Sequence, residues 1–234
     1  MTVPERRRRK QGGQEIVEFS LVALIILPLI MGLFVTGMNL IVSIQANNLV
    51  RNVANLSIHG ADFSTFPYQR LVQRMASGLD LQFPEFTGNT PSNLGTAGAA
   101  VIRVTQVMWV GTTTAPNCVA VGAQNCTNQN SFVFTRRVIF GSSAVAAAHA
   151  SFAGDPTNAT MLNTGNVSNP VTDVYARLPL AAQTAMTAMW QTTAYGRVPL
   201  RDGQVMYMAE GYFETPLANL GSLQSNGVYA RFFF

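Results

Sequence analysis

The stretch Phe19–Met38, FSLVALIILPLIMGLFVTGM, decides how this protein is organised. No charged residue occurs from Phe19 to Val50, and Leu, Ile, Val, Phe and Met dominate the quoted twenty positions. A transmembrane helix needs about 20 apolar residues, whereas the apolar part of a secretory signal has about 7 to 15. A buried core helix rarely stays free of charge for so long. The sequence therefore predicts a retained transmembrane helix.

Basic residues are concentrated directly before this helix, because Arg6–Lys10 supplies five of the fifteen Lys and Arg residues. The positive-inside rule then places the N-terminus in the cytoplasm and the residues after about 50 across the membrane. Helical spacing continues to Gly60 and predicts one helix from Gln14 to His59, roughly 70 Å long at about 1.5 Å per residue. We expect residues 19–44 to span the bilayer. The apolar stripe that extends the helix comprises Val50, Val53, Ala54, Ser57 and Ile58.

Composition and charge exclude several classes of protein. Charged residues make up 11% of the 234, against about a quarter in a typical soluble domain, and 48% are hydrophobic, which excludes disorder throughout the chain. The net charge of +4 belongs to residues 1–13, because residues 14–234 carry ten basic and ten acidic side chains. We therefore predict no nucleic-acid partner.

Glu18 does not fit a plain membrane anchor. A carboxylate at the apolar edge of a transmembrane helix is costly, so such a residue is a candidate functional site. The order of the neighbouring features is specific: a basic leader, Gly13, the sequence QEIVEF, and then the apolar run. With Gly13 as position −1, Glu18 falls at +5 and Phe19 at +6.

The segment RRRRKQGGQEIVEFSLVALIILP resembles the N-terminus of type IV pilins and pseudopilins, which carry class III signal peptides. In detail it resembles the TadE-like family of tight-adherence (Flp-type) pilus proteins. The resemblance implies that a membrane aspartyl prepilin peptidase cleaves after Gly13, so that Gln14 becomes the N-terminus. It also implies that Glu18 pairs with the N-terminal amine of a neighbouring subunit. Gly12 leaves the cut ambiguous by one residue, although only Gly13 puts Glu18 at +5.

The remaining sequence predicts an exported α+β domain over residues 61–234, after the leader 1–13 and the helix 14–60. Its antiparallel sheet is expected to pack on the outer half of the long helix, as in pilins. Residues 141–153 suit either a small-residue helix or a loop. Helices are predicted at Tyr68–Met75 and within 178–194, strands at 101–110, 131–140, 203–214 and 227–234, and loops at 79–99 and 155–173.

Side-chain periodicity gives finer expectations for these elements. Strands 101–110 and 131–140 should form a hairpin around a twenty-residue loop. Their shared faces are predicted as Ile102, Val104, Met108 and Val110, opposite Phe132, Phe134, Val138 and Phe140. In the last helix, Ala185, Met189 and Trp190 should form the apolar stripe. Glu210 and Tyr212 resemble the Glu and aromatic residue in the final strand of TadE-like proteins, and the terminal FFF is expected to be a buried edge or a subunit contact.

The two cysteines, Cys118 and Cys126, lie in the hairpin loop. In an oxidising exported compartment a disulfide is favoured. Free thiols are the alternative, and a metal site is disfavoured because two Cys without a nearby His do not complete a four-ligand zinc site.

No nucleotide-binding, hydrolase or metalloprotease motif occurs, so we predict neither an enzyme nor a cofactor. His59 and His149 are far apart, with no acid or Cys beside them. Asp155 and Asp173 flank a polar loop but lack the alternating acids of a calcium-binding loop.

We therefore expect a non-enzymatic minor pseudopilin or pilus assembly component in the bacterial inner membrane, with its C-terminal domain periplasmic or extracellular. Its partners would be the prepilin peptidase, other pilins or pseudopilins, and inner-membrane lipid. The alternative is an uncleaved single-pass protein with a periplasmic binding domain.

Overall fold

In a computed structural model of the protein, residues 11–191, 200–214 and 227–234 are described, and they form a long helix followed by an α+β domain. This architecture confirms the predicted fold class. The helices are α1 (Gln11–Ile58), α2 (Phe66–Met75), α3 (Pro116–Val121), α4 (Ser143–Ala148) and α5 (Leu180–Gln191). The strands are β1 (Ser92–Gly95), β2 (Ala100–Val110), β3 (Ser131–Ser142), β4 (Val205–Phe213) and β5 (Val228–Phe233).

Helix α1 is a single helix of 48 residues, about 70 Å long at about 1.5 Å per residue. It begins three residues before the expected Gln14 and ends at Ile58, two residues before Gly60, whose φ of +84° ends the helical path. Within it, Ile16–Ile58 is long and apolar enough to cross a membrane, with a mean hydropathy of 2.6 in its most apolar window, and none of that window is buried. An unburied apolar helix of this length is suited to anchor a protein in a membrane.

The C-terminal part of α1 packs on the sheet, as predicted. Its buried side chains begin just after the charge-free apolar run. The stripe expected from helical spacing is confirmed at its centre, whereas Ile58 is 39% exposed. The buried residues of α1 are Ala46, Leu49, Val50, Val53 and Ala54.

The strands lie in the order β1-β3-β2-β4-β5. Strands β2 to β5 pair antiparallel, as expected, but β1 pairs parallel with β3, so that the sheet is mixed. The prediction of a plain loop over 79–99 is wrong at β1, whose sequence SNLG has no strand pattern. Tertiary hydrogen bonds fix this segment, because the buried side-chain amide of Asn93 donates to Gln69 Oε1 at 2.6 Å and to the carbonyl of Pro84 at 3.1 Å.

A bulge in β3 corrects the predicted faces of the hairpin. Gln106 pairs with Arg136 and Val107 with Phe134, which leaves Thr135 as the extra residue of β3. Side chains alternate faces along a strand, so one extra residue inverts the alternation beyond it. Val138 and Phe140 therefore join the core under α1, whereas Phe132 and Phe134 lie in a second core on the opposite side. Met108 and Val110 also pack with the second core and not with Ile102 and Val104.

The last helix differs from expectation in register. Its buried residues are Ala182 and Met186, three positions before the expected Ala185 and Met189, and Met189 is 42% exposed. The side chain of Trp190 and the end of the predicted helix at 192–194 lie outside the described residues. For residues 141–153 the sequence suited either a small-residue helix or a loop, and the structure contains both: α4 is a helix and a loop follows it.

The sheet has a defined orientation relative to the apolar span. Val50 of α1 lies against Gly211 of β4, and Ser57 lines the same small cavity as Tyr207. Helix α1 therefore runs antiparallel to β4. The sheet end at Phe213 lies nearest the span, and the disulfide-containing loop 111–130 lies at the far end.

Candidate functional site

The N-terminal segment of α1 places the predicted processing and assembly residues within two turns. Gly13 and Gln14 are in the first turn, and Glu18 and Phe19 follow in the second. Residues four apart lie on the same face of a helix, so the backbone nitrogen of Gln14 and the side chain of Glu18 share one side. The side chains of Glu18 and Phe19 are exposed, that of Phe19 by 75%. Both side chains therefore point away from the α+β domain, toward the surroundings of the helix.

Two hydroxyl side chains within the apolar run find hydrogen-bond partners inside the helix. The hydroxyl of Ser20 donates to the carbonyl of Ile16 at 2.7 Å, and that of Thr36 donates to the carbonyl of Gly32 at 2.9 Å. A hydroxyl in lipid needs such an internal partner, because no water is available there. This pattern agrees with a lipid environment for residues 16–44.

A second candidate site is a buried charge cluster on the sheet face opposite α1. It is centred on Glu210, which is 1% exposed and accepts hydrogen bonds at both carboxylate oxygens. Oε1 receives the backbone N–H of Phe152 at 2.8 Å and the hydroxyl of Tyr229 at 2.6 Å. Oε2 receives the hydroxyl of Ser151 at 2.5 Å and lies 3.6 Å from Arg137 Nη1. Glu210 thus fastens the loop after α4 to the sheet.

Two buried arginines complete the charge cluster. Arg137 pairs with Asp155 at 2.6 Å and also donates to the hydroxyl of Thr105. Arg103 donates to the carbonyls of Ala146 and His149 at 2.9 and 2.7 Å, at the C-terminal end of α4. Burial lowers the pKa of Arg103, and the positive charge of Arg137 adds to this effect. Arg231 of β5 lies beside the cluster, because it pairs with Glu210 across the sheet and stacks on the ring of Phe152.

Two tyrosines beside the cluster have raised pKa values: Tyr212 is buried, whereas Tyr229 is 45% exposed but partly shielded from water at its hydroxyl. For Tyr229 burial is the main cause and the neighbouring Glu210 carboxylate the second. Burial also raises the pKa of Tyr212, whose ring stacks on His149 with centroids 3.4 Å apart. Both hydroxyls therefore stay protonated at neutral pH, which lets Tyr229 donate to Glu210.

The charge cluster is organised as a structural clamp. Each oxygen of Glu210 already has its donors, and Ser151 has no imidazole beside it in the described part of the chain, since His149 stacks on Tyr212. Among the described residues no group of three metal-ligating side chains converges. The arrangement fixes residues 143–157 on the sheet and presents no nucleophile paired with a base.

The hairpin loop is closed covalently and by a carboxylate. Cys118 and Cys126 are joined by a disulfide in the structure. Asp202, which lies just before β4, accepts hydrogen bonds from the backbone N–H groups of Gly111 and Asn117 at 2.7 and 2.8 Å. These bonds tie the first residues of the hairpin loop to the segment before β4.

The two aspartates of the polar loop serve separate purposes and do not come together. Asp155 pairs with Arg137, whereas Asp173 accepts the backbone N–H groups of Thr160 and Tyr175.

Sequence reasoning singled out Glu210 only through its resemblance to a family feature, and it missed Arg103 and Arg137. The usable signal was the presence of charged residues inside strand sequences that are otherwise apolar, VIRVT and FTRRVIF. A charge at a position flanked by buried residues usually has a buried partner.

Comparison with known protein families finds a match in the N-terminal segment. Residues 13–55 match the family described as TadE-like protein. No curated protein and no solved structure matches the chain. The match ends at residue 55, so Glu210 and Tyr212 lie outside it. It begins at Gly13 and covers the apolar run and the helical turns that enter the domain core. Residues 13–55, which include the apolar run of α1, are therefore similar to TadE-like proteins, and the unburied apolar helix suits a membrane-anchored protein.

Proposed function

We propose that this protein is a minor pseudopilin or assembly component of a tight-adherence type IV pilus, or of a related secretion system. The observation that carries the proposal is the TadE-like match from Gly13 onward, on a helix whose apolar half is unburied. In this proposal the protein is not an enzyme. It acts through contacts that its helix and its domain make with other pilus subunits.

Processing is the first step of the proposed function. A prepilin peptidase removes residues 1–13 at the cytoplasmic surface, and Gln14 becomes the new N-terminus. The site lies within α1, so the helix must open there before the peptide bond is accessible. Gly12 and Gly13 favour this opening, because each glycine costs about 1 kcal/mol relative to alanine in a helix.

Glu18 has a role in assembly under this proposal. A carboxylate in lipid is tolerated when a partner ammonium neutralises it. Cleavage would create such an ammonium at Gln14. Because Gln14 and Glu18 share one helix face, a neighbouring helix displaced along its axis by about one turn, roughly 6 Å, would bring its own amine to this carboxylate.

The topology follows from the charge on the leader. Arg6–Lys10 would stay in the cytoplasm, residues 19–44 would cross the inner membrane, and residues 61–234 would be exported. An oxidising compartment agrees with the disulfide between Cys118 and Cys126. The competing function is an uncleaved single-pass protein with a periplasmic binding domain.

N-terminal sequencing of the membrane-extracted protein tests the proposal. We expect a start at Gln14 in cells that contain the prepilin peptidase and an intact Met1 in cells that lack it. Gly13→Arg should block cleavage without preventing membrane insertion, whereas Gly12→Arg adds the same charge one residue earlier and should still be cleaved. An intact N-terminus in the unmodified protein would contradict the pseudopilin assignment and favour the alternative.

A second matched pair tests assembly separately from processing. Glu18→Gln should be cleaved and inserted normally but should lose co-purification with other pilus subunits. Glu15→Gln removes a carboxylate less than one turn earlier and should retain it. Equal co-purification of the two variants would contradict the role given to Glu18.

A further inference from the structure

We infer that the α2 tip, defined as residues 74–78, rests on the phospholipid headgroups of the bilayer that α1 spans, with the long side chain of Arg74 reaching toward the lipid phosphates and Met75 at the outer edge of the headgroup layer. This contact is distinct from the span itself and from cleavage of the leader. It depends on the position of α2 relative to the end of the apolar run.

The α2 tip lies level with the first residue after that run. The expected membrane span ends at Ile44, and Gly78 lies beside Gln45, because a β-carbon on Gly78 would come within 3.9 Å of Gln45 Oε1. Ala76 and Leu79 are buried in the same core as Ala46, which fixes the tip against α1. About 20 residues from Phe19 cross the hydrocarbon, so Gln45 lies near the outer edge of the headgroup layer.

Helix α2 descends toward the membrane, so its C-terminal end is its closest part to the lipid. Phe63, just before α2, packs on Phe140 with ring centroids 6.2 Å apart and lines a cavity with Ser57 near the end of α1. The other end of α2 reaches Gln45. From Ser57 back to Gln45, α1 covers about 18 Å at about 1.5 Å per residue, which matches the length of α2 and the turn after it.

The exposed chemistry of the tip matches a membrane interface. Arg74 lies in the last turn of α2, is exposed, and makes no ion pair with any residue of the described ranges. Met75 is 38% exposed, and Leu71, one turn earlier on the same side, is 41% exposed. A long cationic side chain beside apolar side chains is the arrangement that anchors proteins at lipid headgroups.

Another charged group, Asp80, lies next to the tip. Asp80 follows the tip and accepts a hydrogen bond from Gln82 Nε2 at 2.5 Å. This hydrogen bond holds the carboxylate in its own loop without removing its negative charge, and Arg74 is the cation of the tip. The apolar run and the α2 tip thus form one continuous surface for lipid.

Depth-dependent quenching in the full-length protein tests this inference. Ser77→Cys, at the tip, is labelled with a fluorophore in nanodiscs under non-reducing conditions, which leave the Cys118–Cys126 disulfide intact. Gln129→Cys, exposed in the loop at the far end of the sheet, is the matched control. Lipids with a nitroxide near the headgroup should quench the label at residue 77 at least twofold more than the label at residue 129.

The charge is tested in the same assay. Arg74→Glu should reduce quenching at residue 77 in membranes that contain phosphatidylglycerol, while Arg70→Glu, one turn farther from the bilayer, should reduce it less. Equal quenching at residues 77 and 129 would overturn the inference, and unchanged quenching in Arg74→Glu would overturn the role of Arg74. An intact Met1 would contradict the pseudopilin proposal but leave these outcomes unaffected.

Discussion

Gly211 of β4 lies directly beneath the side chain of Val50 of α1, so that this side chain of the helix rests on the backbone of the sheet. A β-carbon at Gly211 would fall 2.6 Å from Val50 Cγ2 and 2.6 Å from Phe213 Cε2. Distances under about 3 Å between such atoms are repulsive, so only glycine allows this close approach. The contact sets how near the domain lies to the helix that anchors it.

Gly211→Ala should therefore destabilise the domain by about 1–3 kcal/mol through overpacking. Chemical unfolding of the full chain in detergent, followed by tryptophan fluorescence, measures the change. Val50→Ala makes room above residue 211, so the double variant Gly211→Ala/Val50→Ala should be less destabilised than the sum of the two single variants. Strict additivity of the two changes would contradict the proposed contact.

Glu210→Ala should cost about 3–5 kcal/mol, because it leaves Arg103 and Arg137 buried without their central carboxylate. Glu210→Gln should cost less, since its amide keeps the shape and one oxygen acceptor. Glu214→Ala, exposed just after the same strand, is the control and should change stability by no more than about 0.5 kcal/mol. Similar losses for Glu210→Ala and Glu214→Ala would show that the charge cluster does not hold the fold together.

Acid should weaken the domain partly through Asp62. Burial raises the pKa of this carboxyl, but hydrogen bonds from Ser64 and the positive charge of Arg136 outweigh burial and hold the pKa below 3.8. A lowered pKa means that the carboxylate stabilises the folded state above about pH 4 and loses this contribution as the pH falls through the folded-state value.

The test compares unfolding midpoints of the unmodified protein and Asp62→Asn from pH 5 to pH 2.5. Their difference should be largest at pH 5 and should shrink as the pH falls below 3.8. Asp80→Asn, at an exposed carboxyl, serves as the control. A difference that stays constant over this range would contradict the contribution assigned to Asp62.

The disulfide should stabilise the far end of the sheet. In the chain-entropy description, a short closed loop of this kind contributes about 2–3 kcal/mol. Cys118→Ser/Cys126→Ser should lower the free energy of unfolding by that amount, and it should remove the sensitivity of the unmodified protein to a reducing agent. Two free thiols titrated in the protein isolated under non-reducing conditions would contradict the bridge.

The local sequence accounts for much of the fold. The charge-free run from Phe19 predicts the anchor, the stripe at Val50 and Val53 predicts the packing half of α1, and the apolar strand sequences predict β2 to β5. These features follow from hydrophobicity and its periodicity, which act between neighbours in the chain. The N-terminal motif was recognisable for the same reason, since Gly13, Glu18 and the apolar run lie within one short segment.

Tertiary structure decided the features that sequence reasoning missed. The bulge at Thr135 inverts the faces of β3, and the polar segment 92–95 becomes a strand only because Asn93 finds Gln69 and Pro84 in space. Likewise, Arg103, Arg137 and Glu210 become a buried cluster because three strands bring together residues that are up to 107 positions apart. The sequence by itself determined the anchor and strands β2 to β5, because hydrophobic pattern is a local property. Only the tertiary structure decided the strand faces and the buried charges, because burying a charge or a polar backbone is favourable only once its distant partner is in place.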